Sequence, residues 1–366
     1  MVNLVFSMSD AVTTRRMAVM PDKGADIPAE VMSILRCPSC RSTLREHEGG
    51  LFCSGCGSLY QSLNGAVRFV GGQNYAGNFG FQWHEYERTQ FDHEGSRESE
   101  VGFREKTGFS PEEIRGKLVL DVGCGTGRFA EVASRWGARV VGIDLSNAAE
   151  VAARNLADRE LVTIFQADAL ALPFAPESFD FIYSIGVLHH TPNCEQAFKV
   201  LPSFLNPGGS IAIWLYSGYH NWYRFSDLYR KVTHRLPARW LHRLCHIATP
   251  LYYLDRGLRR IPLVGRPLRG LVRHVFPVSL NPNRDVRILD TFDWYSPKYQ
   301  SKHTYEQVFR WFESCGLDSL QVLHTPIAVR GRKPPRVSEL EQRGVSQDAH
   351  APIVERSAND GGLPVS

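Results

Sequence analysis

Residues 119–130 read Val-Leu-Asp-Val-Gly-Cys-Gly-Thr-Gly-Arg-Phe-Ala, an apolar run that breaks into three alternating glycines and resumes as a helical pattern. The run predicts a buried strand. Gly123, Gly125 and Gly127 admit backbone angles closed to other residues and let a ligand approach the main chain, which marks a nucleotide-cofactor loop at the strand's carboxyl end. Two features separate it from a dinucleotide fingerprint. Phe129 stands where that fingerprint has its third small residue, so close packing of the helix on a pyrophosphate is not indicated. Asp121, inside the strand, is a poor neighbour for phosphate and a good acceptor for a cationic group.

The flanking elements extend the pattern. A second apolar strand, Arg139-Val-Val-Gly-Ile-Asp144, ends in a carboxylate about 20 residues past the loop, where an acidic side chain accepts hydrogen bonds from ribose hydroxyls. A third strand over 161–165 precedes Asp168, placed to accept from an exocyclic adenine amine, and the turn Leu172-Pro-Phe174. Residues 179–190 supply a fourth strand ending in His189 and His190, and 206–214 a turn and a fifth. Helical patterns over 127–136 and 146–156 alternate with these strands, which predicts a parallel, doubly wound α/β sheet with its ligand at the carboxyl edge.

Residues 119–130, Asp144, Asp168 and the stretch 172–214 together resemble the class I S-adenosylmethionine-dependent methyltransferases, most closely the small-molecule branch that contains ubiquinone-type methylases. The resemblance covers roughly residues 115–216. It implies a Rossmann-like, seven-stranded sheet with a reversed last strand. It also implies that Gly123, Cys124, Gly125 and Gly127 lie against the amino-acid end of the cofactor and that Asp121 is near its ammonium. Asp144 and Leu145 would then border the ribose, Asp168 and Ala169 the adenine, and Ser184 the fourth-strand side. A sheet that keeps this form with an unused loop is the alternative, and three carboxylates at strand ends argue against it.

Four of the eight cysteines form Cys37-Pro-Ser-Cys40 and Cys53-Ser-Gly-Cys56. Two such knuckles point four thiolates at one tetrahedral Zn2+, and Gly57 supplies the positive backbone angle that the second knuckle requires. Residues 27–72 are therefore expected to be a small four-cysteine zinc ribbon that depends on its metal to fold. With every position filled by sulfur, the zinc is structural. A redox role for either pair is the competing reading. Cys124, Cys194, Cys245 and Cys315 are scattered, as free thiols in a reducing compartment would be.

Residues 73–115 read as aromatic-rich linking helices. The stretch 78–91 there is expected to form a helix that packs on the catalytic domain and lines the cofactor cleft, with Trp83 a substrate-binding residue, or else a plain interdomain helix, and Ser110-Pro-Glu-Glu113 marks a helix start. Residues 217–290 read as a helical insertion after the fifth strand. Between 222 and 276 it carries twelve Lys and Arg against Asp227 and Asp255, an excess of ten, whereas the whole chain sums to +4. Trp240, Leu241, Leu244, Ile247, Ala248 and Leu251 follow helical spacing between arginines and histidines. Such a basic amphipathic segment serves as a lid on the sheet, or lies on an anionic membrane surface, or grips an anionic substrate. Residues 291–332 complete the methyltransferase domain begun at 116–216, with a helix over 304–316 and a terminal hairpin over 317–330. The polar aromatic stretch 290–303 is expected to contribute Asp293 and Tyr295 to the acceptor pocket.

The ends, 1–26 and 333–366, read as a disordered leader and tail. No apolar run approaches the roughly 20 residues that cross a bilayer, so the chain is expected to be cytoplasmic, with the insertion able to hold it at the inner membrane surface.

The sulfonium methyl of S-adenosylmethionine is already electrophilic, so the protein must align a nucleophile and, for a hydroxyl acceptor, remove a proton. His190 and His189 are the candidate bases, Asp293 and His303 weaker ones. The leading expectation is methyl transfer to a small-molecule, lipid-linked or glycan-like acceptor. A second is an RNA methyltransferase using ribbon and insertion to hold the strand, since zinc ribbons also precede ribosomal RNA guanine methyltransferases; the absence of an Asn-Pro-Pro-Tyr type motif after the fourth strand weakens it. A third is a noncatalytic zinc-ribbon adaptor.

Overall fold

The computed structural model describes residues 26–71, 74–219 and 224–336. The described residues begin with α1 (Ala29–Ile34) and the short strands β1 (Leu44–His47), β2 (Gly50–Cys53), β3 (Leu59–Leu63) and β4 (Ala66–Arg68). The helices α2 (Gly77–Glu85), α3 (Glu98–Thr107) and α4 (Pro111–Ile114) follow. Ser110 accepts from the Glu113 amide while Glu113 accepts from the Ser110 amide, so the expected start signal is a true capping box.

The alternating portion comprises β5 (Leu118–Val122), α5 (Arg128–Arg135), β6 (Arg139–Asp144), α6 (Ala148–Asn155), β7 (Val162–Gln166), β8 (Phe179–Ile185), α7 (Cys194–Val200) and β9 (Leu205–Trp214). Every residue of β5 is buried, as expected of a run covered on both faces. The insertion is α8 (Arg224–Thr233), α9 (Ala238–Cys245), α10 (Ala248–Leu258), α11 (Gly265–Val275) and α12 (Arg284–Tyr295); α13 (Tyr305–Ser314), β10 (Asp318–Val322) and β11 (Ala328–Arg332) close the chain.

The sheet order is β1-β2-β3-β4-β7-β6-β5-β8-β9-β11-β10. Its seven strands from β7 to β10 form the expected doubly wound core. β5 through β9 run parallel, and β11 lies antiparallel between β9 and β10, which is the reversed last strand. The other four strands differ from the expectation of a separate ribbon. β4 pairs in parallel with β7, Val67 opposite Phe165, and extends the sheet. Leu35, Leu51, Tyr60 and Phe69 share one apolar cluster with Leu120, Val141 and Phe165. Arg41 donates to the carbonyls of Leu172 and Phe174. The ribbon is thus continuous with the core of the domain rather than a unit that must fold alone.

Two further expectations change. The insertion's last helix, α12, runs past the boundary expected at 290, and it packs against α8, α9 and α10. The expected leader lies outside the described residues apart from Asp26, and the expected tail lies outside them from 337 onward. Lys333, at the start of that tail, is held. Its amide donates to the Gly209 carbonyl at 2.9 Å and its Nζ to Leu205 and Glu177. Among the described residues, no helix is long and apolar enough to cross a membrane.

Candidate active site

The carboxyl ends of β5, β6, β7 and β8 open into a cavity of about 330 Å³, closed from the other side by α2, α12 and the Lys106 side chain of α3. The glycine loop forms its floor. The amides of Gly123 and Cys124 both donate to the Ile143 carbonyl at 2.8 Å, which folds the loop over the end of β6. Gly123, Gly125 and Gly127 have φ of +83°, +55° and +89°, angles that disfavour any residue with a Cβ. A Cβ on Gly123 would lie 2.3 Å from Val187, and one on Gly127 2.6 Å from Leu156. On Gly125 the nearest atoms belong to the Trp83 ring at 3.5 Å. Of the three, only Gly125 would give a Cβ room without a clash, in contact with the Trp83 ring.

Asp144 ties this floor to the second strand. Its Oδ2 accepts from the Gly125 amide at 3.0 Å, and its Oδ1 accepts from the Ser146 amide and hydroxyl at 2.8 and 2.7 Å. Burial raises its pKa against the opposing pull of these bonds. Asp168 Oδ1 accepts from the Leu170 amide at 2.9 Å. Across the cavity, Gln82 is buried with its Oε1 unpartnered, and so is Nε of Arg128. Burial lowers the Arg128 guanidinium to about 10. It lowers the Lys106 ammonium as well, with the Arg128 charge as a further cause. A Cβ placed on Gly102 would meet Nζ of Lys106 at 3.3 Å and Nη2 of Arg128 at 3.9 Å, so the two cations are neighbours.

The opposite end of the cavity carries His190, Thr191, Trp214, Tyr216, Asp290 and Asp293. Nδ1 of His190 lies 3.1 Å from the Tyr299 carbonyl oxygen. A carbonyl only accepts, which assigns the proton to Nδ1 and leaves Nε2 with its lone pair. Burial lowers the His190 pKa below 6.5, with Asp293 opposing, so the ring is neutral at pH 7. The Tyr216 hydroxyl donates to Asp293 Oδ2 at 2.7 Å. Burial pushes Asp290 up to about 6, although it accepts from the Ser279 hydroxyl.

Of the residues expected at the site, Trp83, Gly123, Cys124, Gly125, Asp144, Leu145, Asp168, Ala169, His190 and Asp293 line this cavity. Asp121, Gly127, Ser184, His189 and Tyr295 do not. Asp121 is buried opposite Tyr183 on β8, and burial pushes its carboxyl up to about 8. Gly127 caps α5. Ser184 donates to the Val122 carbonyl at 2.9 Å and so stitches β8 to β5. His189 and His190 share one 3-10 turn, in which neighbouring side chains point about 120° apart. His189 accordingly stacks on Tyr216, ring centroids 4.0 Å apart, with both nitrogens buried and unpartnered. The Tyr295 hydroxyl donates to the Pro277 carbonyl at 2.6 Å and its ring stacks on Tyr229. Sequence reasoning did not single out Tyr75, Phe79, Gln82, Lys106, Arg128, Tyr216 or Asp290, all in the wall, although Phe79 and Gln82 lie in the 78–91 stretch and Asp290 in the 290–303 stretch expected to border it.

The four expected metal ligands converge. The sulfur atoms of Cys37, Cys40, Cys53 and Cys56 all lie within 4.8 Å of one another, with Cys37 3.6 Å from Cys56 and Cys40 3.4 Å from Cys53. Zn–S bonds of about 2.3 Å place tetrahedral sulfurs about 3.8 Å apart, so the donor set fits zinc. The knuckles repeat each other. The Cys37 amide donates to Ser42 and the Arg41 amide to Cys37, as the Cys53 amide does to Ser58 and the Gly57 amide to Cys53. Arg41 and Gly57 take the left-handed position in each, at φ of 64° and 75°.

A doubly wound sheet whose last strand is inserted in reverse, with a glycine loop and strand-end carboxylates at its carboxyl edge, defines an α/β protein that binds a nucleoside-bearing cofactor. Residues 120–213 match the family model described as a methyltransferase domain. Over 162 residues the chain is 31% identical to the ubiquinone biosynthesis O-methyltransferase of Alkalilimnicola ehrlichii, covering 43% of this chain and 65% of that one. It is 42% identical over 105 residues to methyltransferase GfsG of Streptomyces halstedii, covering 27% and 37%. It is 37% identical over 112 residues to the probable tRNA methyltransferase 9B of Homo sapiens, covering 30% and 23%. The chain thus spans well under half the length of the last two relatives. A solved S-adenosylmethionine-dependent methyltransferase from Mesorhizobium loti is 17% identical, with a TM-score of 0.38 over 65% of this chain and 99% of that one. The family match over residues 120–213, the relatives and the sheet order identify in this chain a methyltransferase domain of the class I S-adenosylmethionine-dependent type.

Proposed function

We propose that the protein transfers the methyl group of S-adenosylmethionine to a small-molecule, lipid-linked or glycan-like acceptor bound at the His190–Asp293 end of the cavity. The observation that carries this reading is a single cavity joining two chemically different ends. One has the carboxylates Asp144 and Asp168 at successive strand ends; the other has His190, Tyr216, Asp290 and Asp293.

The wall suits the cofactor. Asp144 and Asp168 are acceptors for ribose hydroxyls and the adenine amine, the Lys106 and Arg128 cations suit a carboxylate, and the orphaned Gln82 Oε1 is an acceptor for an ammonium. When bound, S-adenosylmethionine supplies a methyl group on a sulfonium, an electrophile that needs no metal. His190 Nε2, neutral and with its lone pair free, takes the proton of an acceptor hydroxyl or amine as the new bond forms. Tyr216 and Asp293, fixed by their mutual hydrogen bond, orient the acceptor, and Trp83, Phe79 and Trp214 exclude water. The four cysteines would hold a structural zinc, their thiolates offering sulfur for all four of its positions.

The test supplies methyl-labelled S-adenosylmethionine with lipid extract, aqueous metabolite extract and total RNA in parallel. Label entering the lipid or metabolite fraction, and failing to do so with Asp144→Ala, is the expected result. Label entering RNA alone, as the relationship to a tRNA methyltransferase would have it, overturns the acceptor class. Label entering none of them overturns the enzyme.

A further inference from the structure

Nineteen large apolar side chains are exposed among the described residues, and thirteen of them lie between 224 and 276. They are ordered. On α9 and at the start of α10, Leu241, Cys245 and Ala248 are buried, while Trp240, Leu244 and Ile247 make a second apolar stripe facing solvent. Along α11 and its approach, Val264, Leu268 and Leu271 repeat that spacing, and Leu263 in the preceding turn is 95% exposed. The i, i+4, i+7 spacing puts each set on one side of its helix. Inward packing accounts for one stripe of α9 and leaves the other without an occupant.

The same segment is the chain's positive pole, with an excess of ten charges between 224 and 276. Part of that charge is internal cement. Buried Asp255 on α10 accepts from Arg269 and Arg273 of α11 and pairs with Arg259, which locks α10 to α11. Arg239, Arg260 and Arg266 are exposed and have no carboxylate partner among the described residues.

We propose that the outer surface of α9, the 261–264 turn and α11 docks on an anionic lipid bilayer, the aliphatic side chains entering the headgroup boundary and the unpaired arginines meeting lipid phosphates. Charge and side-chain type together select this occupant. Leu, Ile and Val gain by leaving water for acyl chains, whereas RNA would engage the arginines and leave those aliphatic groups in water, since bases stack on planar side chains. A second copy of the chain would bring one strongly positive face against another. The docking face belongs to the bundle that roofs the cavity, because α9 and α10 pack on α12, which contributes Leu289, Asp290 and Asp293 to the wall. Docking would set the acceptor end of the cavity beside the bilayer. The proposal does not depend on methyl transfer, so the two fail separately.

The test floats the full chain with vesicles of phosphatidylcholine alone and of an equimolar mixture with phosphatidylglycerol. Binding to the mixed vesicles only, weakened by salt, is expected. R239Q/R260Q/R266Q should weaken it roughly a hundredfold, each surface charge contributing several-fold. Leu263→Asp with Leu271→Asp should abolish it, circular dichroism confirming an intact fold. Absence from the mixed vesicles, equal binding to both, or binding indifferent to both variants overturns the proposal. So does total RNA competing the chain off the vesicles through the same arginines, or concentration-dependent dimerisation that Leu263→Asp with Leu271→Asp removes.

Discussion

Replacing Asp144 with asparagine isolates the contact on which the cofactor assignment turns. The carboxylate accepts three hydrogen bonds, two at Oδ1 from Ser146 and one at Oδ2 from the Gly125 amide. An asparagine in the same rotamer keeps its oxygen toward Ser146 and turns its amide NH2 toward Gly125, so a donor faces a donor at 3.0 Å. A hydrogen bond to a charged group contributes about 1.5–3 kcal/mol. The lost bond frees the loop at Gly125, and the variant also presents a donor where ribose hydroxyls require an acceptor. We expect S-adenosylmethionine to bind roughly 10- to 100-fold more weakly, the range of about 1.4–2.8 kcal/mol. Ser146→Ala is the control. It removes one hydroxyl donor from Oδ1 and leaves the Gly125 contact, so its loss should stay near a neutral bond's ~1 kcal/mol, about fivefold. Isothermal calorimetry with S-adenosylmethionine measures both, and thermal denaturation of the free proteins checks the fold. If Asp144→Asn binds as tightly as the parent while remaining folded, the ribose is not held at β6 and the assignment of the cavity is wrong.

Gly123→Ala and Gly125→Ala should part company. The first drives a Cβ to 2.3 Å from Val187 at φ +83° and should lower the melting temperature. The second meets only Trp83 at 3.5 Å and should weaken cofactor binding more than stability; the reverse order in calorimetry and thermal melts would refute the placement of the cavity floor. His190→Gln should lower kcat about 10²- to 10⁴-fold with cofactor affinity kept. In the parent, activity should fall as pH drops through a value below 6.5, where Nε2 becomes protonated and can no longer accept; an unchanged kcat would remove the base. Metal analysis should find zinc, and Cys40→Ser should lower the melting temperature of the whole chain by several degrees, since a loss of several kcal/mol moves it about 1–2 °C per kcal/mol at this size; a separate early transition of the ribbon would refute the shared core.

The core of the sheet was legible because its signals are local. A fully apolar strand, a glycine loop and a carboxylate at the next strand's end sit within residues 119–144 and admit few folds. The ribbon's attachment was not, because β4 is three residues long and its pairing of Val67 with Phe165 joins positions far apart in the chain. Tyr295 shows a different gap. Residues 290–303 read as polar and aromatic without a helical signal, yet on α12 Asp293 and Tyr295 stand about 200° apart round the axis, so one cavity cannot take both. Asp290 takes that place, being nearly in line with Asp293 on the helix surface. Lys106 lies on a helix before the glycine loop, and only the tertiary fold carries it over the loop.

The sheet order also sets the two additions on different sides of the cavity. The ribbon enters beyond β7, on the Asp168 side of the cavity, whereas the insertion leaves from β9, beyond β8 and on the His190 side. From β4, Arg68 Nε donates to Gln166 Oε1 at 2.6 Å, and Gln166 Nε2 donates to the Leu145 carbonyl at 3.0 Å. Leu145 is part of the cavity wall. The cysteine knuckles therefore bear, through β4 and two hydrogen bonds, on the half of the cavity suited to adenosine, and among the described residues they have no comparable route to Asp290 or Asp293. Those two carboxylates stand on α12, which α8, α9 and α10 hold in place. Under the proposed function, recognition of the acceptor would fall to the insertion, and the ribbon would contribute rigidity to the nucleoside wall.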